Sequence, residues 1–278
     1  MKVFNVVWTI VHSLKLESKK APLYGLDGGI VGEVELPKVF SLFVRKDIIR
    51  RAFHSAFTGR LQPKGRDPLA GKRTSARSWG VGRGLARVPR VPTGRAAFIS
   101  FARGGHAAFP PTTMERIWED INRKEMARAI ASALAATSVV ELVRERGHEF
   151  SLNTLPVVVV DEVEEKISKT SEAREFLEKL GLWIDVVRAQ RGIKIRSGRG
   201  KMRGRRYVEP KSLLFILNNS KSSFGNAVRN LPGVDVVAPS NLSVIHLAPG
   251  GVPGRLTVLS YGALKALGDK YRVVSIYE

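Results

Sequence analysis

The sequence contains one long segment without helical or strand periodicity, residues 59–113, that interrupts an otherwise patterned chain. Apolar residues recur at regular spacing both before and after it, so the segment is an insertion within a folded domain. Compact domains rarely contain structureless loops longer than about 15 residues unless the loop is functional or disordered. The sequence therefore predicts a folded body that carries one long extended loop.

The loop is dense in Gly, Pro and Arg, and its single acidic residue is Asp67. Arginine binds phosphate through its planar fork, and aromatic or imidazole rings stack on bases. The cationic residues of the loop, with one Trp and one His, form a candidate nucleic-acid-binding set. They are Arg60, Lys64, Arg66, Lys72, Arg73, Arg77, Trp79, Arg83, Arg87, Arg90, Arg95, Arg103 and His106.

A second cationic segment, residues 188–206, contains no acidic residue. Its candidate nucleic-acid-binding residues are Arg188, Arg191, Lys194, Arg196, Arg199, Lys201, Arg203, Arg205 and Arg206. The two segments hold 20 of the 46 Lys and Arg and one of the 25 acids, which leaves 26 basic and 24 acidic residues elsewhere. The pattern predicts a nearly neutral body with two flexible cationic segments that engage a polyanion such as folded RNA.

The part of the body before the loop predicts a hairpin and a helix. Apolar residues at 23–26 and 30–36 flank the turn residues Asp27, Gly28 and Gly29, which is typical of a β-hairpin. Within 45–57 the apolar residues recur at the spacing of one helix face. The hairpin and this helix therefore precede the loop.

Three capping patterns follow the loop and predict three consecutive helices. The pairs are Thr112 with Glu115, Asn122 with Glu125, and Ser138 with Glu141. The first of these helices is expected to bury Met114, Ile117, Trp118 and Ile121. Gly147 is the predicted stop of the last one.

The second half of the chain alternates short apolar runs with helical patterns. The runs at 157–160, 213–217, 234–237 and 256–259 predict strands, and helices are expected near 173–180, 222–230 and 261–267. Such alternation indicates an α/β fold, with a largely parallel sheet and helices on both faces, plus the long non-regular loop. The predicted domains are an N-terminal extension, 1–21, and a globular α/β domain, 22–278, interrupted by the loop 59–113 and the basic strip 188–206.

An α/β fold often holds a nucleotide, so an enzymatic function needs separate consideration. The run from Gly80 to Gly84 has neither the spacing nor the strand–helix context of a dinucleotide-binding turn. Asp161 and Glu162 follow a predicted central strand, where a ligand is possible, but solvated acids are the favoured interpretation. The sequence has no cysteine and no apolar stretch long enough to span a membrane. We therefore predict no catalytic residue, no metal site, no cofactor and no membrane contact.

Several motifs give the chain a family resemblance. They are Leu36-Pro37-Lys38-Val39-Phe40, Gly80-Val81-Gly82-Arg83-Gly84 with Ala86-Arg87-Val88-Pro89-Arg90-Val91, Gly104-Gly105-His106 with Pro110-Pro111, Lys201-Met202-Arg203-Gly204-Arg205, and Asn230-Leu231-Pro232-Gly233-Val234. In these motifs the chain resembles the archaeal and eukaryotic type of the L-four family of large-subunit ribosomal proteins. The resemblance covers about residues 22–271, so that residues 1–21 precede the usual family start.

The resemblance implies a non-enzymatic, cytoplasmic constituent of the large ribosomal subunit, without homo-oligomerisation. Its implied partners are 23S ribosomal RNA, bound near the 5′ region early in assembly, other large-subunit proteins, and the nascent polypeptide. The loop tip is implied to form part of the polypeptide exit tunnel wall. The tip residues are Arg77, Trp79, Gly80, Gly82, Arg83, Gly84 and Arg87. Two alternatives stay open, an RNA-modifying enzyme and a free RNA-binding regulator of messenger RNA.

Overall fold

The structure is a computed structural model that describes residues 7–12 and 16–275. It contains two compact units. One unit, Thr58–Glu119, contains the loop 59–113, and the other, called the body here, comprises the described residues up to Phe57 and from Asp120 onward. The two units are described separately below.

The described elements alternate along the second half of the chain, as the periodicity predicts. The strands are β1 (Trp8–His12), β2 (Lys20–Tyr24), β3 (Ile30–Glu35), β4 (Val157–Val159), β5 (Lys194–Ile195), β6 (Tyr207–Val208), β7 (Leu214–Ile216), β8 (Asp235–Val237), β9 (Thr257–Ser260) and β10 (Tyr271–Ser275). The α-helices are α1 (Lys46–Thr58), α2 (Arg123–Thr137), α3 (Val140–Glu145), α4 (Glu162–Lys166), α5 (Thr170–Lys179), α6 (Trp183–Arg191), α7 (Ser223–Val228), α8 (Val244–Leu247) and α9 (Tyr261–Lys270). Short 3₁₀ helices occupy Lys38–Ser41, Arg199–Met202, Pro239–Asn241 and Pro249–Gly251.

A six-stranded sheet organises the body, with the strand order β3-β2-β4-β9-β7-β8. All neighbouring strands in it are parallel except β2 and β3, which form the predicted antiparallel hairpin. The prediction of an α/β fold with a mostly parallel sheet is therefore confirmed.

The central strands are apolar on both sides, which explains their continuous Val and Leu runs. Along β4, Val158 belongs to one buried cluster, whereas Val157 and Val159 belong to a second. Residues of α1, α2, α8 and α9 contribute to the first cluster, and residues of α4, α5, α6 and α7 to the second. The sheet thus contributes side chains to two hydrophobic cores.

The predicted helix over residues 112–121 is wrong. That segment is non-helical in the structure, and the side chains of Met114 and Trp118 are 95% and 56% exposed. A helix gains most of its stability by burying an apolar face, and Met114 and Trp118 of this predicted face remain exposed. The next helix, α2, begins at Arg123, where the Asn122 side chain accepts a hydrogen bond from the Lys124 amide.

The capping role predicted for Ser138 is also wrong. Ser138 lies at the C-terminal end of α2, and its hydroxyl donates to the carbonyl oxygens of Phe40 and Ala135 at 2.9 and 2.8 Å. The following helix, α3, starts after Val139. A Ser side chain satisfies carbonyls at a helix end as readily as amides at a helix start, so the pattern was ambiguous. The chain turns after α3 at Gly147, which has a φ of +94°, as predicted.

The sequence patterns did not predict β1 and β10, which pair in parallel as a separate two-stranded sheet. Trp8 and Ile10 of β1 pack on the first core cluster. Residues 7–12 of the predicted N-terminal extension therefore pack within the body, and Ala21 is buried within β2. Residues 1–6 and 13–15 of that extension lie outside the described residues.

Arg255 is a fully buried cation that precedes β9. Its guanidinium pairs with Asp235 at 2.6 Å. It also donates to four backbone carbonyls, those of Ser212, Leu213, Gly233 and His246. Burial lowers the pKa of Arg255, while Asp235 acts in the opposite direction. The side chain thus connects the starts of β7 and β9 with the turn before β8.

Replacement of Arg255 by Met tests this role. We expect the free energy of unfolding to fall by about 3 kcal/mol, because the carbonyls and Asp235 lose a buried charged donor. Chemical denaturation of the full chain measures the change. Arg229→Met, at an exposed arginine, serves as the control and is expected to stay within about 0.5 kcal/mol of the native chain. A loss below about 1 kcal/mol for Arg255→Met would contradict the assignment.

Candidate nucleic-acid interface

The two arms of the loop run antiparallel and are joined by hydrogen bonds. Near the base, the Glu119 amide donates to the Thr58 hydroxyl at 3.2 Å. Further out, the Arg66 amide donates to the Pro111 carbonyl at 3.0 Å. The loop is therefore an extended hairpin-like segment whose two ends lie close together.

The far end of this segment is a turn of residues 78–89. Arg77 and Arg90 form an isolated antiparallel bridge, with amide-to-carbonyl distances of 3.2 and 3.0 Å, that closes the turn. Inside the turn, Gly80, Gly82 and Gly84 have positive φ angles, and a Cβ on any of them would meet no atom within 4 Å. The predicted tip residues thus lie in this turn or, for Arg77, at its closing bridge.

None of the residues between Thr58 and Glu119 is fully buried, although several are partly buried. Phe101, Phe109 and Val81 are 81%, 98% and 74% exposed. Large apolar side chains gain free energy when they leave water, so a coreless loop with exposed aromatics favours binding to another molecule. The loop consequently has no fully buried hydrophobic core of its own.

Most loop cations have no acidic partner among the described residues. Within residues 59–113, the exception is Arg73, whose guanidinium forms an ion pair with Asp67. The hydrogen bond from Arg73 lowers the pKa of Asp67, so this carboxylate stays ionised at neutral pH. Arg95 donates to the Arg103 carbonyl at 3.1 Å, which neutralises no charge. The loop therefore keeps a dense uncompensated positive charge.

Two polar atoms of the loop are buried without a hydrogen-bond partner, Arg90 Nε and His106 Nδ1. His106 packs edge-on against Phe98 at 5.6 Å between ring centroids. At the tip, the Arg83 guanidinium lies 5.7 Å from the Trp79 ring centroid. A buried polar atom without a partner costs about 1–3 kcal/mol. The chain alone thus leaves part of the loop's hydrogen-bonding capacity unused.

The second cationic segment forms a small hairpin, not an irregular strip. β5 and β6 pair antiparallel, and the Arg196 amide donates to the Arg206 carbonyl at 2.8 Å. Between the strands, the residues from Arg199 to Met202 form a 3₁₀ turn. The side chains of Lys194–Ile195 and of residues 196–206 are exposed, apart from a partly buried Arg196 and Gly200. We call residues 192–210 the cationic hairpin.

The first two residues of the predicted strip, Arg188 and Arg191, lie on helix α6, which the sequence patterns did not predict. Arg188 donates to the fully buried Asp185 at 2.7 Å and to the Lys211 carbonyl at 2.9 Å. The i,i+3 spacing of Asp185 and Arg188 was the available sequence signal for this pair. The Arg188 side chain is therefore engaged in contacts within the body, at the start of the second cationic segment.

Asp185 also accepts from His148 Nδ1 at 3.0 Å and from the Glu149 amide at 3.0 Å. Burial alone raises the pKa of Asp185, but the hydrogen bonds from His148 and Arg188 outweigh it and lower the pKa. Burial lowers the pKa of His148 more than Asp185 raises it. A neutral imidazole and an ionised carboxylate result at neutral pH, so His148 Nδ1 is the donor.

The acids that follow the central strand β4 are engaged in structural contacts. Asp161 accepts from the Gly262 amide at 2.8 Å and from the Asn218 side chain at 3.2 Å. Glu162 pairs with Lys166. In the described part of the chain, no group of three or more His, Asp or Glu side chains is arranged to hold a metal ion. No helix there has the length and apolar content that a membrane crossing requires.

Comparisons with known proteins agree with the resemblance in the sequence motifs. Residues 34–270 match the Ribosomal protein L4/L1 family. Large ribosomal subunit protein uL4 of Aeropyrum pernix is 54% identical over 263 residues, which span 94% of this chain and 97% of the relative. Large ribosomal subunit protein uL4 of Methanocaldococcus jannaschii is 52% identical over 252 residues, or 91% of this chain and 99% of the relative.

These similarities place the chain in a class of ribosomal proteins, which are structural and not enzymatic. Within that class, the chain belongs to the ribosomal protein L4/L1 family. The family resemblance inferred from the motifs is confirmed, and the alternative of an RNA-modifying enzyme is rejected.

The close approach of the two loop arms at Gly71 can be tested with a matched pair of variants. Gly71 and Gly80 both have a φ of +79°, but a Cβ on Gly71 would lie 2.5 Å from the Gly105 carbonyl oxygen, whereas one on Gly80 meets nothing within 4 Å. We expect Gly71→Ala to separate the arms and Gly80→Ala to leave them paired. Hydrogen exchange at the Arg66 amide, which donates to the Pro111 carbonyl, measures the pairing of the arms. Equal protection of this amide in both variants would contradict the close approach of the arms at Gly71.

Proposed function

We propose that the chain is a structural constituent of the large ribosomal subunit in the cytoplasm and that it binds 23S ribosomal RNA through the loop and the cationic hairpin. The relatives named above are large ribosomal subunit proteins, which supports the first part. The second part rests on one observation. The loop has two paired arms, no fully buried residue and one acid, Asp67, beside its cations.

The chemistry of the loop suits folded RNA. Guanidinium groups bind phosphate oxygens through two parallel hydrogen bonds and retain their charge in any environment. Exposed Phe101 and Phe109 offer flat surfaces on which bases stack. Backbone pairing of the arms reduces the conformational entropy that binding removes. The loop would therefore act as a clamp between RNA segments during assembly.

We further propose a division of labour along the loop. The arms neutralise phosphates near the 5′ region of 23S ribosomal RNA early in assembly. The tip, from Arg77 to Arg87, forms part of the wall of the polypeptide exit tunnel and meets the nascent chain there. Gly80, Gly82 and Gly84 have no side chain and open space around them, so the backbone at the tip could itself form the tunnel surface. Neighbouring large-subunit proteins complete the set of proposed partners.

Salt dependence tests the electrostatic part of the proposal. The logarithm of the affinity of the full chain for a 5′ fragment of 23S ribosomal RNA is expected to fall by about 0.7–0.9 per log unit of salt for each neutralised phosphate. Filter binding between low and physiological salt measures this slope. A nearly flat response would reject binding through phosphates.

Removal of the loop tests its role in assembly. Since the Arg66 amide and the Pro111 carbonyl lie 3.0 Å apart, a short Gly-Ser turn can replace residues 67–110. We expect an intact body, because none of the removed residues is fully buried, and loss of stable incorporation into large subunits. Sucrose-gradient fractionation after a high-salt wash measures incorporation.

The matched control for this deletion keeps the arms and changes only the tip, as Arg83→Gln with Arg87→Gln. This variant is expected to enter large subunits, because the arms provide most of the proposed RNA contacts. Normal incorporation of the deletion variant would refute the assembly role. A native chain found mainly outside subunits would favour a free RNA-binding regulator instead.

A further inference from the structure

The body contains a cleft of about 390 Å³ at the foot of the cationic hairpin. Its walls include Arg146, His148, Arg188 and Lys211, with Pro210 and Val252 beside them. Arg188 precedes the hairpin in the chain, Pro210 is its last residue, and Lys211 follows it. The cleft is therefore continuous in sequence with both ends of the hairpin.

The foot of the hairpin is held closed by two contacts. Arg188 donates to the Lys211 carbonyl at 2.9 Å. On the other side, a Cβ on Gly192 would lie 2.5 Å from Pro210 Cγ, so only glycine permits this approach. Asp185 holds the Arg188 guanidinium from beneath at 2.7 Å. The cleft wall is thus a built feature and not a chance arrangement of surface side chains.

Arg146 is the cation without an acidic partner in this cleft. Its guanidinium donates to the Val252 carbonyl and, at 2.8 Å, to the Pro249 carbonyl, and none of the ion pairs among the described residues includes it. Burial lowers its pKa to about 10, and the nearby charges of Arg255 and Arg188 act in the same direction. Arg146 remains protonated at neutral pH and is held in a position where an anion would relieve the repulsion.

The charges around the cleft do not balance. Lys211 pairs with Asp235 at 2.9 Å, but Asp235 also pairs with Arg255. Asp185 balances Arg188, and His148 is neutral. Two carboxylates, Asp185 and Asp235, therefore accompany four cations, of which Arg255 is fully buried and Arg146, Arg188 and Lys211 line the cleft.

We propose that this cleft binds a phosphate group of the RNA backbone, with Arg146 as the principal donor and Lys211 beside it. The inference rests on the proposed RNA-binding function and deepens it. A strand that contacts the exposed cations of the hairpin can continue into the cleft at its foot, which favours RNA over a carboxylate of a partner protein. Arg188 acts here as a positioning residue, because its donors are directed to Asp185 and Lys211.

Arg146→Gln in the full chain tests the site. We expect the affinity for a 5′ fragment of 23S ribosomal RNA to fall about tenfold, and the salt slope to fall by about one. Arg144→Gln is the matched control, since Arg144 lies two residues earlier, outside the cleft, where it stacks over Phe150. The control is expected to leave affinity and slope unchanged.

The outcomes separate this site from the wider proposal. A steep native slope with identical binding by Arg146→Gln would overturn the cleft assignment alone, whereas a flat native slope would overturn the proposed function. Normal RNA binding by Arg146→Gln with loss of a neighbouring protein from assembled subunits would also overturn it, in favour of a protein carboxylate.

A second measurement on the native chain covers the case in which Arg146→Gln does not fold. Inorganic phosphate is titrated at constant ionic strength while the Arg146 Nε–H signal is followed by NMR, with acetate as the comparison anion. A saturable shift with phosphate and none with acetate supports the site. No shift, or equal shifts with both anions, overturns it.

Discussion

The body depends on burial of its central strands on both sides. Val157, Val158 and Val159 of β4 are fully buried, and so are the residues of β7. Such a sheet closes its own core with the helices that pack on it, without side chains from Thr58–Glu119. Because the body forms its core without the loop, the loop sequence can contain many charged residues and glycines that would destabilise a hydrophobic core.

Arginine has two opposite functions in this chain. Arg255 and Arg188 are surrounded by carbonyl oxygens and a carboxylate, and they fix elements of the body in place. Arg83 at the loop tip has an aromatic ring beside it and no carboxylate among the described residues. Arginines paired with a carboxylate inside the body have a structural role, whereas arginines without such a partner in the loop are available for binding. Arg146 is intermediate, because backbone carbonyls hold its guanidinium without neutralising its charge.

Elements with strong periodicity or a clear turn were predictable from the sequence, including the β2–β3 hairpin, α1, α5 and the strands β4, β7 and β9. The failures have physical reasons. The capping pattern at Thr112 reports a local preference, but a helix also needs a partner for its apolar face. The pairing of β1 with β10, and the burial of Arg255, depend on contacts between distant parts of the chain that no local pattern records. For the loop, charge and composition predicted an extended, cationic segment, whereas the pairing register of its two arms could not be predicted from the sequence.

The parallel pairing of β1 with β10 joins segments synthesised far apart in time. Trp8 is opposite Tyr271 in this ladder. At a translation rate of about 5–20 residues per second, the β1 segment waits on the order of ten seconds or more for its partner. During that interval Trp8 and Ile10 lack the strand that pairs with theirs in the finished protein. Among the described strands, β1 is synthesised first and obtains its pairing partner only when β10, the last of them, has been synthesised.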